Sequence, residues 1–188
     1  FIRTWRQEEE RSLAALLSGQ QAASSYIDGL ILVDDKGVVR ATNRGRKITQ
    51  DSLLKLDVAD EDYFKPLKNM SAPNLHIGRP TEIFKNQHLR VPIAQALFDR
   101  DKNFVGALIA ILDPKGFADF FSSLDLGATA SMAILREDGY LVMRQPQPPD
   151  LAFVNPLFSK ERMTTEISGK AERFFEERSP ADGELRVG

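Results

Sequence analysis

The side chains that most often carry chemistry are sparse in this chain. His76 and His88 are its two histidines, and it has no cysteine. Thiolate metal sites, disulfides and cysteine nucleophiles are therefore excluded. The two histidines have no acid nearby at ligand spacing, which is a poor pattern for zinc. Asp57, Asp60, Glu61 and Asp62 form an acidic cluster. It lacks the glycine and the spaced oxygens of a calcium loop, and acids placed at a helix start account for it better. No glycine-rich phosphate loop follows a strand, and no Gly-x-Ser-x-Gly elbow occurs. No spacing asks for a catalytic set, so no catalytic residue, metal or cofactor is assigned.

The remaining chemistry is recognition. Tyr63, His76, Arg79, Arg90 and Gln95 are polar or amphipathic residues near the edges of one expected sheet. Arginine at the end of an extended stretch such as His76-Ile77-Gly78-Arg79-Pro80 suits bidentate capture of a carboxylate or phosphate. Tyr63 offers an aromatic wall and a hydroxyl. These five are the candidate ligand-binding residues, for a small anionic molecule held by charge among apolar walls. A rival reading makes the same region a protein-interaction or structural dimerisation module with a filled interior. An enzyme such as a hydrolase would need a nucleophile with a base in reach.

The elements that must position these residues are read from periodicity. Residues 2–27 read as one long amphipathic helix, with Trp5, Leu13, Leu16, Leu17 and Ile27 on one side and Glu8 to Arg11 on the other. Such a helix either packs on a sheet or runs out of a membrane and pairs with a second copy. Leu30-Ile31-Leu32-Val33, a turn ending at Gly37, and Val38-Val39-Arg40-Ala41 read as a hairpin. The same pattern returns about 102 positions later, at Met132-Ala133-Ile134-Leu135, Gly139 and Tyr140-Leu141-Val142-Met143. Gly37 and Gly139 hold the same turn position, where a positive φ favours glycine. One supersecondary unit is thus repeated. Short helices are expected after Asp51 and over residues 57–64.

Residues 89–97 and 104–112 read as long strands joined by the turn at 99–103. In the first, the odd positions are apolar except Gln95, so the odd side is expected to face the core. The even side, with Arg90, Ala94 and Ala96, is small enough to line a hollow. The second strand is apolar on both sides and belongs at the sheet centre. A helix starts from Asp113-Pro114 with Phe117, Phe120, Phe121 and Leu124 as its buried stripe. Gln145 to Pro149 is a stiff polyproline-like stretch. Residues 155–178 read as polar and helical, and Glu184 to Val187 as the start of a strand. No second pair of long apolar strands is found, so the second unit is expected to be incomplete in this chain.

Composition limits the class of protein. The chain has 188 residues, 25 Lys+Arg against 27 Asp+Glu, and a formal net charge of -2. That balance argues against nucleic-acid binding. Hydrophobic residues at 42% and charged residues at 28% suit a globular fold. No apolar run approaches the ~20 residues that cross a bilayer. No signal-peptide pattern opens the chain, because Arg3, Arg6 and Glu8 to Glu10 interrupt it.

The order of these motifs resembles the extracytoplasmic double Cache sensor domain of bacterial membrane signalling proteins, a PAS-like family. The likeness is carried by Asp62-Tyr63-Phe64 with Ile77-Gly78-Arg79-Pro80, by residues 104–114 with Phe117, Phe120 and Phe121, and by Ser123 to Gly127 with Asp138-Gly139 and Arg144-Gln145-Pro146. Residues 179–186 are similar to the segment before the second unit closes its sheet. The resemblance implies an α+β fold with a long N-terminal helix (1–27), a membrane-distal Cache unit with a connecting helix (28–128) and a partial membrane-proximal Cache unit (129–188). It implies a non-enzymatic, periplasmic sensor portion anchored in the cell inner membrane, with a homodimer through the N-terminal helix. The output would be a histidine kinase, a diguanylate cyclase or phosphodiesterase, or a chemoreceptor. Family members that read amino acids carry an Arg just ahead of an aromatic pair and an acid beyond a strand glycine. Here Glu61 stands two before Tyr63, and Ile111 stands five beyond Gly106. A small organic acid held by Arg79 or Arg90 is the ligand class this leaves.

Overall fold

The computed structural model describes residues 15–19, 26–43, 57–82, 89–113, 120–121, 123–124, 130–146, 155–167, 176–178 and 183–187. The first unit is an antiparallel sheet of β1 (Ile27–Asp34), β2 (Val39–Thr42), β3 (Leu75–Ile77), β4 (Val91–Phe98) and β5 (Phe104–Leu112), in the order β2-β1-β5-β4-β3. β5 lies at the centre, as its two apolar faces require. Its bounds are those expected from the sequence. The turn before it is closed by Asp99, whose carboxylate accepts from the backbone N–H groups of Asp101 and Asn103.

Register decides which side of this sheet is the interior. Ala94 lies opposite Ile109 and Ala96 opposite Ala107, while Ile31 and Val33 lie across from the same two β5 residues. All six are buried, and Tyr63, Phe64 and Leu67 pack against this side. The even side of β4 is therefore the core side, against the expectation that the odd side would be. The larger odd residues Ile93, Gln95 and Leu97 are only half buried. The bulk comes from the covering segment, and the alanines give it room.

Two local expectations are also corrected. The acids at 57–62 do not start a helix. The helical element is a 3-10 turn, Lys65–Asn69, with Pro66 in its first turn and no acid there. Proline presets φ for a first turn, and the acids stay in the preceding loop. The long N-terminal helix is seen only at 15–19. It does not reach Ile27, because Tyr26 is in a turn and Ile27 pairs with Leu112 in the sheet. The rest of 2–25 lies outside the described residues, as do the helix expected after Asp51, Phe117 and residues 147–149. Of the stripe after Asp113, Phe121 is buried while Phe120 and Leu124 are exposed. Phe121 packs with Val91, Val142 and Met143, an apolar cluster shared by both units.

The second unit shows β6 (Met132–Leu135) paired with β7 (Leu141–Gln145), and separately β8 (Glu176–Arg178) paired with β9 (Leu185–Val187). Lys160–Arg162 is helical and runs into a wider turn, Met163–Ile167. The repeat is present in detail. The β1–β2 register slips between Leu32 and Val33, and the β6–β7 register slips between Ile134 and Leu135. Gly37 and Gly139 have φ of 93° and 83°. Gly37 N–H donates to the Asp34 carbonyl at 3.1 Å and Gly139 N–H to the Arg136 carbonyl at 2.9 Å.

Gly106 marks the tightest approach in the first sheet. Its φ is 144°, and a Cβ there would run into the carbonyl oxygen of Val33. Gly106→Ala is expected to destabilise the chain by at least about 2 kcal/mol. A lower urea midpoint at unchanged slope in equilibrium unfolding checks this.

Candidate functional site

The site begins with the covering segment. Tyr63, Phe64 and Leu67 are 3%, 0% and 0% exposed on the small side of β4 and β5. Seating Tyr63 inward leaves Asp62 at the rim. The chain leaving β3 must pass directly over this segment. A Cβ at Gly78 would sit 2.6 Å from both Tyr63 Cβ and Pro92 Cγ, so only glycine fits. Gly78 N–H donates to the Pro92 carbonyl at 2.8 Å, which fixes the direction in which Arg79 leaves the sheet.

Asp62 is the hub of the rim. Its carboxylate accepts from the Arg79 backbone N–H at 3.0 and 3.2 Å and from Arg136 Nη1 at 3.1 Å. Its backbone carbonyl lies 3.0 Å from His76 Nε2, and a carbonyl partner requires the proton on that nitrogen. Arg136 also forks onto Asp138, Nε to Oδ1 at 3.0 Å and Nη2 to Oδ2 at 3.1 Å, and its Nη1 donates to the Ile77 carbonyl. The Arg79 side chain is held more loosely. Its Nε is 3.7 Å from Asp62 Oδ2 and its Nη2 is 3.6 Å from Asp138 Oδ2, beyond hydrogen-bond length. Its guanidinium lies 4.1 Å from the centre of the Tyr140 ring.

Of the five candidate residues, His76 and Arg79 meet at Asp62, while Tyr63, next to it in the chain, is seated inward. Arg90 and Gln95 do not join them. Arg90 is held by Asp28 (Nε to Oδ2, 2.7 Å) and Asp113 (Nη2 to Oδ2, 3.3 Å), and its Nη1 donates to the Leu89 carbonyl at 3.1 Å. Gln95 lies between Leu75 and Leu108, on the opposite side of the sheet from Ala94 and Ala96. Asp62, Arg136, Asp138 and Tyr140 were not legible as site residues in the sequence. One signal for Arg136 was available: it occupies the repeat position of Asp34, with the charge inverted.

The electrostatics are set by this packing. Burial tends to raise the Asp138 carboxyl, but hydrogen bonding and charge from Arg136 outweigh it, so its pKa lies below the usual carboxylate value. Burial, with the nearby Glu61 and Asp62 charges, pushes the Tyr63 hydroxyl well up, so it stays protonated. Desolvation and the neighbouring Asp62 and Asp60 raise Glu61. Among the described residues no three acids or histidines converge on one point as a metal site would need.

Known proteins share both sequence and fold features with this chain. Residues 114–188 match the family model dCache_1_like, described as a histidine kinase sensor domain. No curated protein matches the sequence. Among solved structures, the extracellular domain of the protein designated histidine kinase rpHK1S-Z16 is 18% identical with a TM-score of 0.75, over 97% of this chain and 72% of that one. The ligand-binding domain of the Pseudomonas fluorescens chemoreceptor CtaA, in complex with L-serine, is 21% identical with a TM-score of 0.58, over 96% of this chain and 72% of that one. The V. cholerae histidine kinase DctB sensor domain is 13% identical with a TM-score of 0.51, over 74% of this chain and 48% of that one. At these identities the likeness is one of fold. The chain has the fold of extracellular Cache sensor domains, and its C-terminal part carries the corresponding sequence signature. Among the described residues no helix is long and apolar enough to cross a membrane.

The two arginines should respond differently to removal. Arg90 is 8% exposed and between two acids, whereas Arg79 is 48% exposed. Arg90→Met is expected to cost about 3 kcal/mol, because Asp28 and Asp113 lose a buried counter-charge. Arg79→Ala is expected to cost under about 1 kcal/mol. Urea unfolding of both variants checks this. The lowered Asp138 pKa stabilises the fold above the ordinary carboxylate value of about 3.9, and that gain fades as pH falls through the native value. Asp138→Asn should therefore narrow its stability gap to the unsubstituted chain as acid is added, measured as urea midpoints between neutral pH and pH ~3.

Proposed function

We propose that this chain is the extracytoplasmic ligand-sensing portion of a bacterial membrane receptor. The match of residues 114–188 favours a histidine kinase over a cyclase, phosphodiesterase or chemoreceptor output. In this reading the chain is not an enzyme. It is periplasmic, anchored in the inner membrane in the whole protein, and paired with a second copy through its N-terminal helix. The ligand is a small organic acid, bound in the first unit beside Tyr63, His76 and Arg79; Arg90, held between Asp28 and Asp113, and Gln95, on the other side of the sheet, take no part.

The observation that carries the ligand class is the state of Arg79. Its side chain is half exposed, stacked on Tyr140 and poised between two carboxylates at distances too long for hydrogen bonds. A ligand carboxylate that offers two oxygens to this fork gains the hydrogen bonds that Asp62 and Asp138 leave unmade. The CtaA domain is seen with L-serine, L-alanine and L-valine. Here Glu61 puts a negative charge two residues before Tyr63, which disfavours the carboxylate of an amino acid at that point and leaves Arg79 as the anchor.

A second reading is favoured by one observation. Tyr63, Phe64 and Leu67 cover the small side of the sheet with the chain's own side chains. A filled interior suits a protein-interaction or dimerisation module.

A thermal-shift panel of small organic acids and amino acids separates the two. A ligand at 100 times its Kd adds about 2.7 kcal/mol to stability. For a chain of this size that raises Tm by about 5–10 °C. The expected result is such a rise with at least one organic acid, lost in Arg79→Ala. No rise with any compound would overturn ligand sensing and favour the interaction module.

A further inference from the structure

We propose that Arg136 latches the second unit to the rim of the first, so that the ligand region and the chain beyond the second hairpin are mechanically one device. The two copies of the repeated turn differ at one telling position. In the first turn Asp34 closes its own loop. Its Oδ1 accepts from the N–H groups of Lys36 and Val38, both at 2.9 Å, and its Oδ2 takes the Arg40 fork. At the equivalent position the second turn has Arg136, which cannot accept a hydrogen bond. The backbone of the second turn closes all the same, with Arg136 N–H donating to the Tyr140 carbonyl at 2.9 Å. The backbone closure of the turn therefore does not use the Arg136 side chain.

That side chain instead leaves its own unit. It reaches Asp62 and the Ile77 carbonyl, 74 and 59 residues away in sequence, and holds Asp138 as a local brace. Its side chain is 14% exposed, its bond to Asp62 is partly buried, and its bond to the Ile77 carbonyl is open to water. Arg79 makes a second, looser tie in the reverse direction, from the first unit to Asp138 and Tyr140. Acids and cations thus alternate across the boundary, two from each unit.

The same turn also grips the segment at 157–158. Gly139 carbonyl accepts from Leu157 N–H at 2.9 Å, and a Cβ on Gly139 would collide with the Phe158 carbonyl oxygen. The turn therefore stands between that segment and the rim at Asp62. Motion of the rim loops is passed to 157–158 through a fork of charge-assisted hydrogen bonds. The use of this latch in signalling rests on the ligand-sensing reading: an anion that takes Arg79 removes the looser tie and leaves Arg136 as the pivot. The coupling itself can be read without any ligand, so its failure and the failure of ligand sensing are separate results.

Amide hydrogen exchange on the 188-residue chain tests it. Arg136→Gln is expected to speed exchange about tenfold at the first-unit amides of Arg79, Phe64 and Lys65, with Leu108 to Ile111 at the sheet centre unchanged. Asp62→Asn is expected to speed exchange at Gly139 and Leu157 in the second unit, because coupling between two sites is reciprocal. Should Arg136→Gln fail to fold, Asp62→Asn reads the same coupling from the other side. Changes confined to the unit that carries the substitution would overturn the latch.

Discussion

Three alanines on the core side of β4 and β5 set the rest of the structure. Ala94, Ala96 and Ala107 leave a shallow trough, and Tyr63, Phe64 and Leu67 lie in it. Burying side chains of that size is worth roughly 2–3 kcal/mol each, so the segment has one strongly preferred seat. Gly78 completes the fit, since any Cβ there would strike Tyr63 and Pro92. With Tyr63 inward, Asp62 is forced to the rim. His76, Arg79 and Arg136 all use Asp62 as an acceptor, through its carbonyl or its carboxylate. The polar site is thus a consequence of apolar packing beneath it.

Three of the arginines in and around this sheet illustrate how surroundings decide role. Arg90 is closed in by two carboxylates and a carbonyl, and its charge is used to bind strand ends together. Arg136 is closed in as well, but its partners belong to two units. Arg79 has the same two acids within reach and hydrogen-bonds neither with its side chain. A guanidinium that is charged, stacked and incompletely paired is the one most able to exchange an internal acid for an external one.

Much of the architecture was legible in the sequence, and the misread parts have identifiable causes. β5 was found at its observed bounds because nine apolar or small residues run between two turns. The hairpin repeat was legible because Gly37 and Gly139 anchor it, down to matching register slips. The core side of β4 was misread because alternation reveals two faces without saying which receives the covering segment. The larger residues Ile93 and Leu97 suggested the wrong one. Acids at 57–62 resembled a helix start until Pro66 placed the helical turn later. Tyr63, His76 and Arg79 were recognisable by type, yet Asp62 read as one acid among four. Its partnership with Arg136 joins residues 74 positions apart through two turns, and local pattern carries no trace of such a contact.

The central claim is that Arg79, and not Arg90, is the cation open to an external carboxylate. Side-chain Nε–Hε NMR resonances of the arginines, followed while small organic acids are titrated into the chain, observe it directly. The predicted result is that the Arg79 resonance moves in a saturable way while that of Arg90 stays fixed between Asp28 and Asp113. Movement of Arg90 with Arg79 unchanged, or no saturable movement of either, would contradict it.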